Sequence, residues 1–507
     1  MPDTRPNLLL IMTDQQRGDC LGCAGHPVLE TPYLDQLASE GTRFACAYSA
    51  VPSCLPARAS LLTGMDQWHT GILGMGKGQG TIPSNFAHTL PGELARAGYH
   101  TQAIGKNHFH PQRALNGYHN CILDESGRTD SPGFVSDYRR WFEEHKDGPY
   151  GYRDHAIDWN SWMGRPSHLP EHLHPTHWTA QQAIDWLDRR DPEKPFFLKV
   201  SFARPHSPYD PPRWYFDQYA NRRMPDPFMG DWMESATGGA ASPAATGGAS
   251  VNAWRSRRSD AEVQRARAAY YGSITFIDHQ IGRLLNEMRR QHGAALANTL
   301  IIFLSDHGDM LGDHHLWRKT YAYEGSARVP LIVRPPAGWS DAPRGQVHRQ
   351  VVELRDVMPT FLEAAGVQAP QTLDGCSLLP LTRGQKVDDW RPWLHGEHVA
   401  CYSHEQAMHY LTDGVSKYIW FPYLGRQQLF DLTDDPGETR DLAASPGAGA
   451  GASPAHADRL ALWRQHLIDT LAQRGSGDLL DHGQLRRLDP HELWTSPHYR
   501  QPPRTTS

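Results

Sequence analysis

Residues Asn7-Leu8-Leu9-Leu10-Ile11-Met12-Thr13 form an unbroken apolar run that stops at the polar cluster Asp14-Gln15-Gln16-Arg17. A strand apolar on both sides is stable only where helices cover both faces of its sheet, so this run calls for a buried, largely parallel sheet. The pattern recurs at His100 to Ile104, Pro195 to Phe202 and Thr299 to Ser305. Between these strands lie helical stretches: Thr31-Pro32 through Leu37, Thr89 to Ala97 closed by Gly98, Thr176 to Asp188, and Ala261 to Arg290. Val351 to Ala365 also reads as helix, ending before Gly366. Strands alternating with helices predict an α/β sandwich with a mostly parallel central sheet. Asp14, Lys106, His206 and Asp306 each follow a predicted strand end, where such sheets gather their chemistry.

At 507 residues the chain is long enough for a large core. The pattern changes near Trp390, so residues 1–389 read as the catalytic α/β domain and 390–507 as a smaller C-terminal α+β subdomain. Within the latter, Val415 to Phe421 and Gln427 to Leu432 look like a strand pair, followed by a helix from about Ala457 to Gln473. Two segments rich in Gly, Ala, Ser and Pro, near 235–250 and 443–457, read as flexible surface insertions.

A net charge of −6 is too small to mark a nucleic-acid binder or a polyanion trap. The N-terminus lacks a secretory pattern, and no stretch approaches 18 uninterrupted apolar residues. A cytoplasmic protein without membrane attachment is expected. Seven cysteines, an odd number thinly spread, exclude a disulfide framework.

Cys54-Leu55-Pro56-Ala57-Arg58-Ala59-Ser60-Leu61-Leu62-Thr63-Gly64 carries the most specific signal. A cysteine opens a helix, a proline occupies an early helical position, and an arginine follows one turn on. Free N–H groups and the helix dipole favour an anion and a nucleophile there. These eleven residues resemble the signature of the type I sulfatases, members of the alkaline phosphatase superfamily. In that signature Cys-x-Pro-x-Arg directs oxidation of the cysteine to formylglycine; Leu55 and Ala57 depart from the commoner residues but keep the frame. The resemblance implies a formylglycine-generating enzyme as maturation partner. It also implies a hydrated aldehyde whose first hydroxyl attacks sulfur and whose second releases the bound sulfate.

Other segments extend the resemblance. Asp14-Gln15 and Ser305-Asp306-His307-Gly308-Asp309 match the family's metal ligands, so a divalent cation is expected on Asp14, Gln15, Cys54, Asp306 and His307. Many sulfatases have Asp at the position of Gln15 and Asn at that of His307. The Asp-Gln and Asp-His pairs look more like choline sulfatases and phosphonate monoester hydrolases, which makes Mn2+ an alternative to Ca2+. Gly105-Lys106-Asn107-His108 resembles the element whose lysine contacts the sulfate and whose histidine handles a hydroxyl proton. Arg204-Pro205-His206 resembles the element facing the leaving-group oxygen, and Lys319 in Leu316-Trp317-Arg318-Lys319 matches the second sulfate-binding lysine. Arg318, one residue off, is expected to be solvated. Gln428 to Glu438 resembles the family's closing element.

Weaker candidates remain. His69 roughly matches a family histidine and is a substrate-pocket candidate. His172, His174 and His177 have a zinc-compatible spacing, although 29 histidines make chance clusters expected. Glu397 and His398 are within reach of the site mouth but read as structural, and the 16 tryptophans can line a pocket for a ring or sugar. The resemblance implies an arylsulfatase-like hydrolase of a small-molecule or saccharide sulfate ester. A phosphonate monoester or phosphodiester hydrolase and a catalytically silent binder of sulfated ligands stay open, as does a homo-oligomer.

Overall fold

A computed structural model describes residues 4–75, 81–128, 130–233, 250–443 and 454–499. The stretches 235–249 and 444–453 of the two expected insertions lie outside the described residues.

The strands are β1 (Asn7–Asp14), β2 (Thr42–Phe44), β3 (Ala47–Tyr48), β4 (His100–Gly105), β5 (Asn120–Leu123), β6 (Phe196–Pro205), β7 (Thr299–Ser305), β8 (Leu331–Arg334), β9 (Gln346–His348) and β10 (Val352–Glu353). Eight of them form one sheet in the order β5-β4-β6-β1-β7-β8-β2-β9, and β3 pairs with β10 beside it. Strands β5, β4, β6, β1 and β7 run parallel, whereas β8 is antiparallel to both β7 and β2.

Every residue of β1 is buried. Period-2 alternation sends Leu8, Leu10 and Met12 to one face, against the helices Cys54–Thr63, Leu90–Arg96 and Val357–Ala364. Leu9 and Ile11 go to the other, against Pro32–Ser39, Pro175–Arg189 and the long helix Asp260–Gln291. The sheet therefore has a separate core on each face, as its unbroken apolar strands required.

Local signals place most boundaries. Thr89 caps its helix by accepting from the Gly92 amide, and Ser259 opens the long helix with a capping box to Glu262. One expectation is corrected. The segment from Val351 does not start as helix: Val352-Glu353 pair as strand β10, Leu354–Asp356 make a 3-10 turn, and the α-helix begins at Val357.

The C-terminal sheet has four antiparallel strands rather than two: β11 (Leu394–His398), β12 (Met408–Thr412), β13 (Ser416–Phe421) and β14 (Arg426–Asp431). Its Met408, Tyr410, Ile419, Phe421 and Phe430 share a core with Tyr48, Met310 and Tyr323. Its opposite face, with Leu411, Tyr418, Trp420 and Leu429, is covered by Trp463, Leu467 and Leu471 of the helix Pro454–Gln473. One face of this sheet thus shares a core with the loops that follow β7. Among the described residues, no helix is long and apolar enough to cross a membrane.

Candidate active site at the sheet edge

Strands β4, β6, β1 and β7 are consecutive neighbours and parallel, so their C-terminal ends meet on one edge. Lys106, His206, Asp14 with Gln15, and Asp306 with His307 leave these four ends in turn. Backbone bonds fix them together. The His206 amide donates to the Asp14 carbonyl at 2.9 Å, and the Lys106 amide to the Ser201 carbonyl at 2.9 Å. Gln15 has φ of 74°, a left-handed conformation that a β-carbon disfavours. Tyr270 on the long helix holds that turn, its hydroxyl donating to the Gln15 carbonyl at 2.5 Å and accepting from the Arg17 amide at 3.1 Å. Gly308 is required at its position, because a β-carbon there would lie 2.1 Å from the Gly325 carbonyl oxygen.

The helix Cys54–Thr63 is buried along its whole length and starts at this edge. Cys54 and Arg58, four residues apart, share one helix face. Arg58 Nε donates to Asp306 Oδ2 at 2.8 Å, one Nη to Asp14 Oδ2 at 3.2 Å, and the other to the Lys106 carbonyl at 2.6 Å and Ser201 Oγ at 3.0 Å. Ser53 does not cap this helix with its side chain; its Oγ pairs instead with His398 Nε2 at 2.8 Å.

Cys54 Sγ lies 3.1 Å from His307 Nε2, 3.5 Å from Lys319 Nζ and 3.6 Å from Asp14 Oδ1. Burial and Asp14 push its thiol up, but Lys319, Lys106 and His307 outweigh them and hold it below the usual cysteine value. Lys106 Nζ sits 2.5 Å from Asp14 Oδ2. Burial opposes the charge on Asp14, yet Lys106, His206, Arg58 and His307 keep its carboxyl well below the ordinary range.

Asp14, Cys54, Asp306 and His307 each offer a ligand atom within 4.8 Å of the others. His307 Nδ1 faces the Gly308 carbonyl at 2.9 Å and Nε2 turns toward Cys54, Asp14 and Asp306; burial opposes its charge, but Asp306 and Cys54 raise its pKa, and a metal bound there would take the place of the Nε2 proton. Two carboxylates, an imidazole lone pair and a sulfur position converging in a buried site fit a divalent cation. Gln15 stands beside this group, its Oε1 accepting from Lys319 Nζ at 3.0 Å and its Nε2 donating to Asp309 Oδ2 at 2.5 Å.

His206 Nδ1 faces the Ser207 carbonyl at 2.8 Å, so its Nε2 accepts from Lys319 Nζ at 2.5 Å. Burial, then Lys319, holds this imidazole well below its usual pKa. His108 is buried, and neither ring nitrogen has a hydrogen-bond partner among the described residues. Burial and the positive charges of Arg128, Lys106 and Arg58 keep it neutral. Asp14, Gln15, Cys54, Arg58, Lys106, His206, Asp306, His307 and Lys319 therefore gather at one sheet edge, with His108 in the turn that follows Lys106.

Two further residues organise the site. Asp309 accepts from Gln15, the Tyr209 hydroxyl and the Arg318 amide, joining the turn after β1 to the Lys319 loop. Its place three residues after Asp306 was the available signal. Glu125 accepts from the backbone amides of Asn107 at 2.8 Å and His108 at 3.0 Å, holding a turn in which His108 has φ of 66°. Nothing in the sequence around Glu125 marks it.

Other expectations are corrected. Arg318 is only 7 % exposed, because the chain after β7 folds it under the Tyr402 loop. His69 is half exposed and lies in a surface cluster with Asp66 and Asp374, bonded to Asp374 Oδ2 at 2.8 Å, rather than among the residues around Cys54. In keeping with the chance spacing expected of them, His172, His174 and His177 join no group of converging ligand side chains among the described residues. Glu397 is structural as expected, bound by Arg474 and by Trp494 Nε1, whereas His398 meets Ser53, the residue before the Cys54 helix.

The hydrogen bond to Asp66, reinforced by Asp374 against the effect of burial, raises the His69 pKa to about 9. A raised histidine stabilises the fold fully below its unfolded value of about 6.5, and that contribution is lost as pH rises through the folded value. His69→Gln is therefore expected to lower Tm at pH 6, with the gap to wild type closing between pH 6.5 and about 9. A gap independent of pH in differential scanning fluorimetry would contradict this assignment.

The sulfatase family model matches residues 6–367, and the model for the C-terminal part of N-sulphoglucosamine sulphohydrolase matches residues 312–451. The chain is 42 % identical over 483 residues to an arylsulfatase of Clostridium perfringens, covering 93 % of this chain and 96 % of that protein. It is 31 % identical over 453 residues to a choline-sulfatase of Rhizobium meliloti, covering 88 % and 84 % respectively. Among solved structures, the phosphonate monoester hydrolase of Agrobacterium radiobacter superposes with a TM-score of 0.75 at 26 % identity, covering 92 % of this chain and 96 % of that one.

Proposed function

The chain belongs to the sulfatase family and is a hydrolase of sulfate esters, and on that premise we propose that it cleaves aryl-type sulfate monoesters with a formylglycine made from Cys54 and one divalent cation. One observation carries the reading: Cys54 sits at a helix start among Lys319, His307 and Asp14, with Lys106 and Arg58 bound to the same carboxylate. The chemistry would belong to residues 1–389, with 390–507 as the covering subdomain.

Ca2+, or Mn2+ as the alternative, held by Asp14, Gln15, Asp306, His307 and residue 54, would polarise the sulfate. Oxidation by a formylglycine-generating enzyme would give position 54 two hydroxyls on one carbon, one to attack sulfur and one to free the enzyme afterwards. Arg58, Lys106 and Lys319 offset the charge that develops on the sulfuryl oxygens. Neutral His108, with neither nitrogen hydrogen-bonded among the described residues, accepts a hydroxyl proton. Lys319 Nζ, 2.5 Å from His206 Nε2, donates to that ring and would pass a proton to the departing oxygen. All seven cysteines are unpaired, which supports a reducing, cytoplasmic location.

A second reading is hydrolysis of phosphonate monoesters or phosphodiesters, favoured by the Gln15 and His307 departures and by the phosphonate hydrolase fold likeness. Protein co-expressed with a formylglycine-generating enzyme decides between them. The expected result is a residue 54 peptide in which CHO replaces CH2SH, with kcat/KM higher for 4-nitrophenyl sulfate than for 4-nitrophenyl phenylphosphonate and lost on chelation. A preference for the phosphonate selects the second reading. An unmodified thiol without turnover selects a sulfated-ligand binder.

A further inference from the structure

Beside Lys319 the structure holds a buried cation that the chemistry above does not use. Arg318 is 93 % buried, and among the described residues no carboxylate lies within ion-pair distance of its guanidinium. One Nη donates to the Asn252 carbonyl, and Nε has no hydrogen-bond partner among the described residues. A buried charge left unpaired is costly, so such a group points to a ligand that completes it.

The neighbours define what that ligand looks like. The guanidinium lies over the Tyr402 ring, 4.5 Å from its centroid, and the Trp254 ring stacks beyond Tyr402 at 6.3 Å with an interplanar angle of 18°. A hydrogen-bonded chain stiffens this wall. Tyr321 donates its hydroxyl to the Trp254 carbonyl, Gln406 Nε2 donates to that hydroxyl, and Gln406 Oε1 accepts from the Tyr402 and Ser403 amides. Lys319, the next residue, contacts Cys54 and His206, which puts the wall beside the atoms that would face the departing oxygen.

We propose that Arg318, Tyr402 and Trp254 form the leaving-group subsite and select sulfate esters of flat rings bearing an anionic substituent such as a carboxylate. Rings of the leaving group stack on the aromatic wall, and the carboxylate pairs with Arg318. The same wall rejects a quaternary-ammonium leaving group. Such a cation is repelled by the Arg318 guanidinium, which has no carboxylate within ion-pair distance among the described residues to offset its charge. The proposal rests on the reading of residue 54 as the attacking group.

The test is kcat/KM for phenyl sulfate, 4-carboxyphenyl sulfate and 4-(trimethylammonio)phenyl sulfate with the full-length, metal-loaded enzyme. Wild type is expected to prefer the carboxyphenyl ester over the phenyl ester by about tenfold or more and to disfavour the trimethylammonio ester. Arg318→Met should collapse the carboxyphenyl-to-phenyl ratio toward unity, and Arg318→Lys should restore part of it. The ratio is independent of how much variant protein folds. An unchanged ratio in Arg318→Met, or a wild-type preference for the trimethylammonio ester, overturns the proposal. The same leaving groups presented as phenylphosphonate monoesters separate the two levels. A retained order on phosphonates with no sulfate turnover keeps the subsite and removes the sulfate assignment.

Discussion

Cys54→Ala is expected to lower kcat/KM for an aryl sulfate by a factor on the order of 10⁴ to 10⁶. The size follows from the position. Cys54 is the group toward which Lys319, His307 and Asp14 converge, and among the described residues no other nucleophilic side chain contacts both Lys319 and the candidate metal ligands. Removing it leaves charge stabilisation by Arg58, Lys106 and Lys319 but nothing for sulfur to bond with. Cys54→Ser separates nucleophile from release. A serine there offers one hydroxyl, enough to take up sulfate but without the second hydroxyl that frees the enzyme. Stoichiometric product release followed by arrest is expected, with the intact protein heavier by one sulfuryl group. A Cys54→Ala enzyme within about tenfold of the parent would remove residue 54 from the chemistry.

Asp14→Asn is expected to damage both stability and turnover. Asp14 is wholly buried, with Lys106 Nζ at 2.5 Å and an Arg58 Nη at 3.2 Å on one carboxylate oxygen. The carboxamide keeps the shape and removes the charge, leaving Arg58 with Asp306 and Lys106 with no carboxylate within ion-pair distance among the described residues. Breaking such a pair costs about 3–5 kcal/mol. The sign with pH follows from the lowered carboxyl. Its contribution is present above the unfolded value of about 3.9 and is lost as pH falls through the lower folded value. The deficit measured by thermal unfolding in chelator should therefore hold from neutral pH down to about 5 and vanish only in strong acid. A divalent cation should raise the wild-type Tm and leave that of Asp14→Asn unmoved. Equal Tm values for the two proteins in chelator would refute the role given to this carboxylate.

Much of this molecule was legible in the chain because its signals are local. The apolar run Leu8 to Met12, the Thr89 cap and the glycine after Ala97 act within a few residues, and the strands and helices they predict are present. The Cys54–Gly64 motif, the turn after Ser305 and the segments around Lys106 and His206 were equally visible, since each is a short stretch at a strand or helix end. Burial on both faces calls for parallel strands, and the order β4-β6-β1-β7, which the structure supplies, brings those ends to one edge.

What the sequence did not contain is which distant groups complete each other. Strands β11 and β12 escaped notice because His395, Glu397, His398 and His409 interrupt their apolar pattern; burial of Glu397 became affordable only when Arg474 and Trp494 arrived from residues far along the chain. Glu125 is unremarkable until β5 lies beside β4, where its carboxylate meets two amides of the Lys106 turn. Arg318 looks like any surface arginine, and only the C-terminal part of the chain, by laying Tyr402 over it, turns it into a buried charge with no carboxylate partner among the described residues. Motif residues carry their chemistry in their own functional groups and so survive reading one segment at a time. Specificity, by contrast, comes from desolvation and pairing across hundreds of residues, terms that do not exist until the tertiary structure has closed.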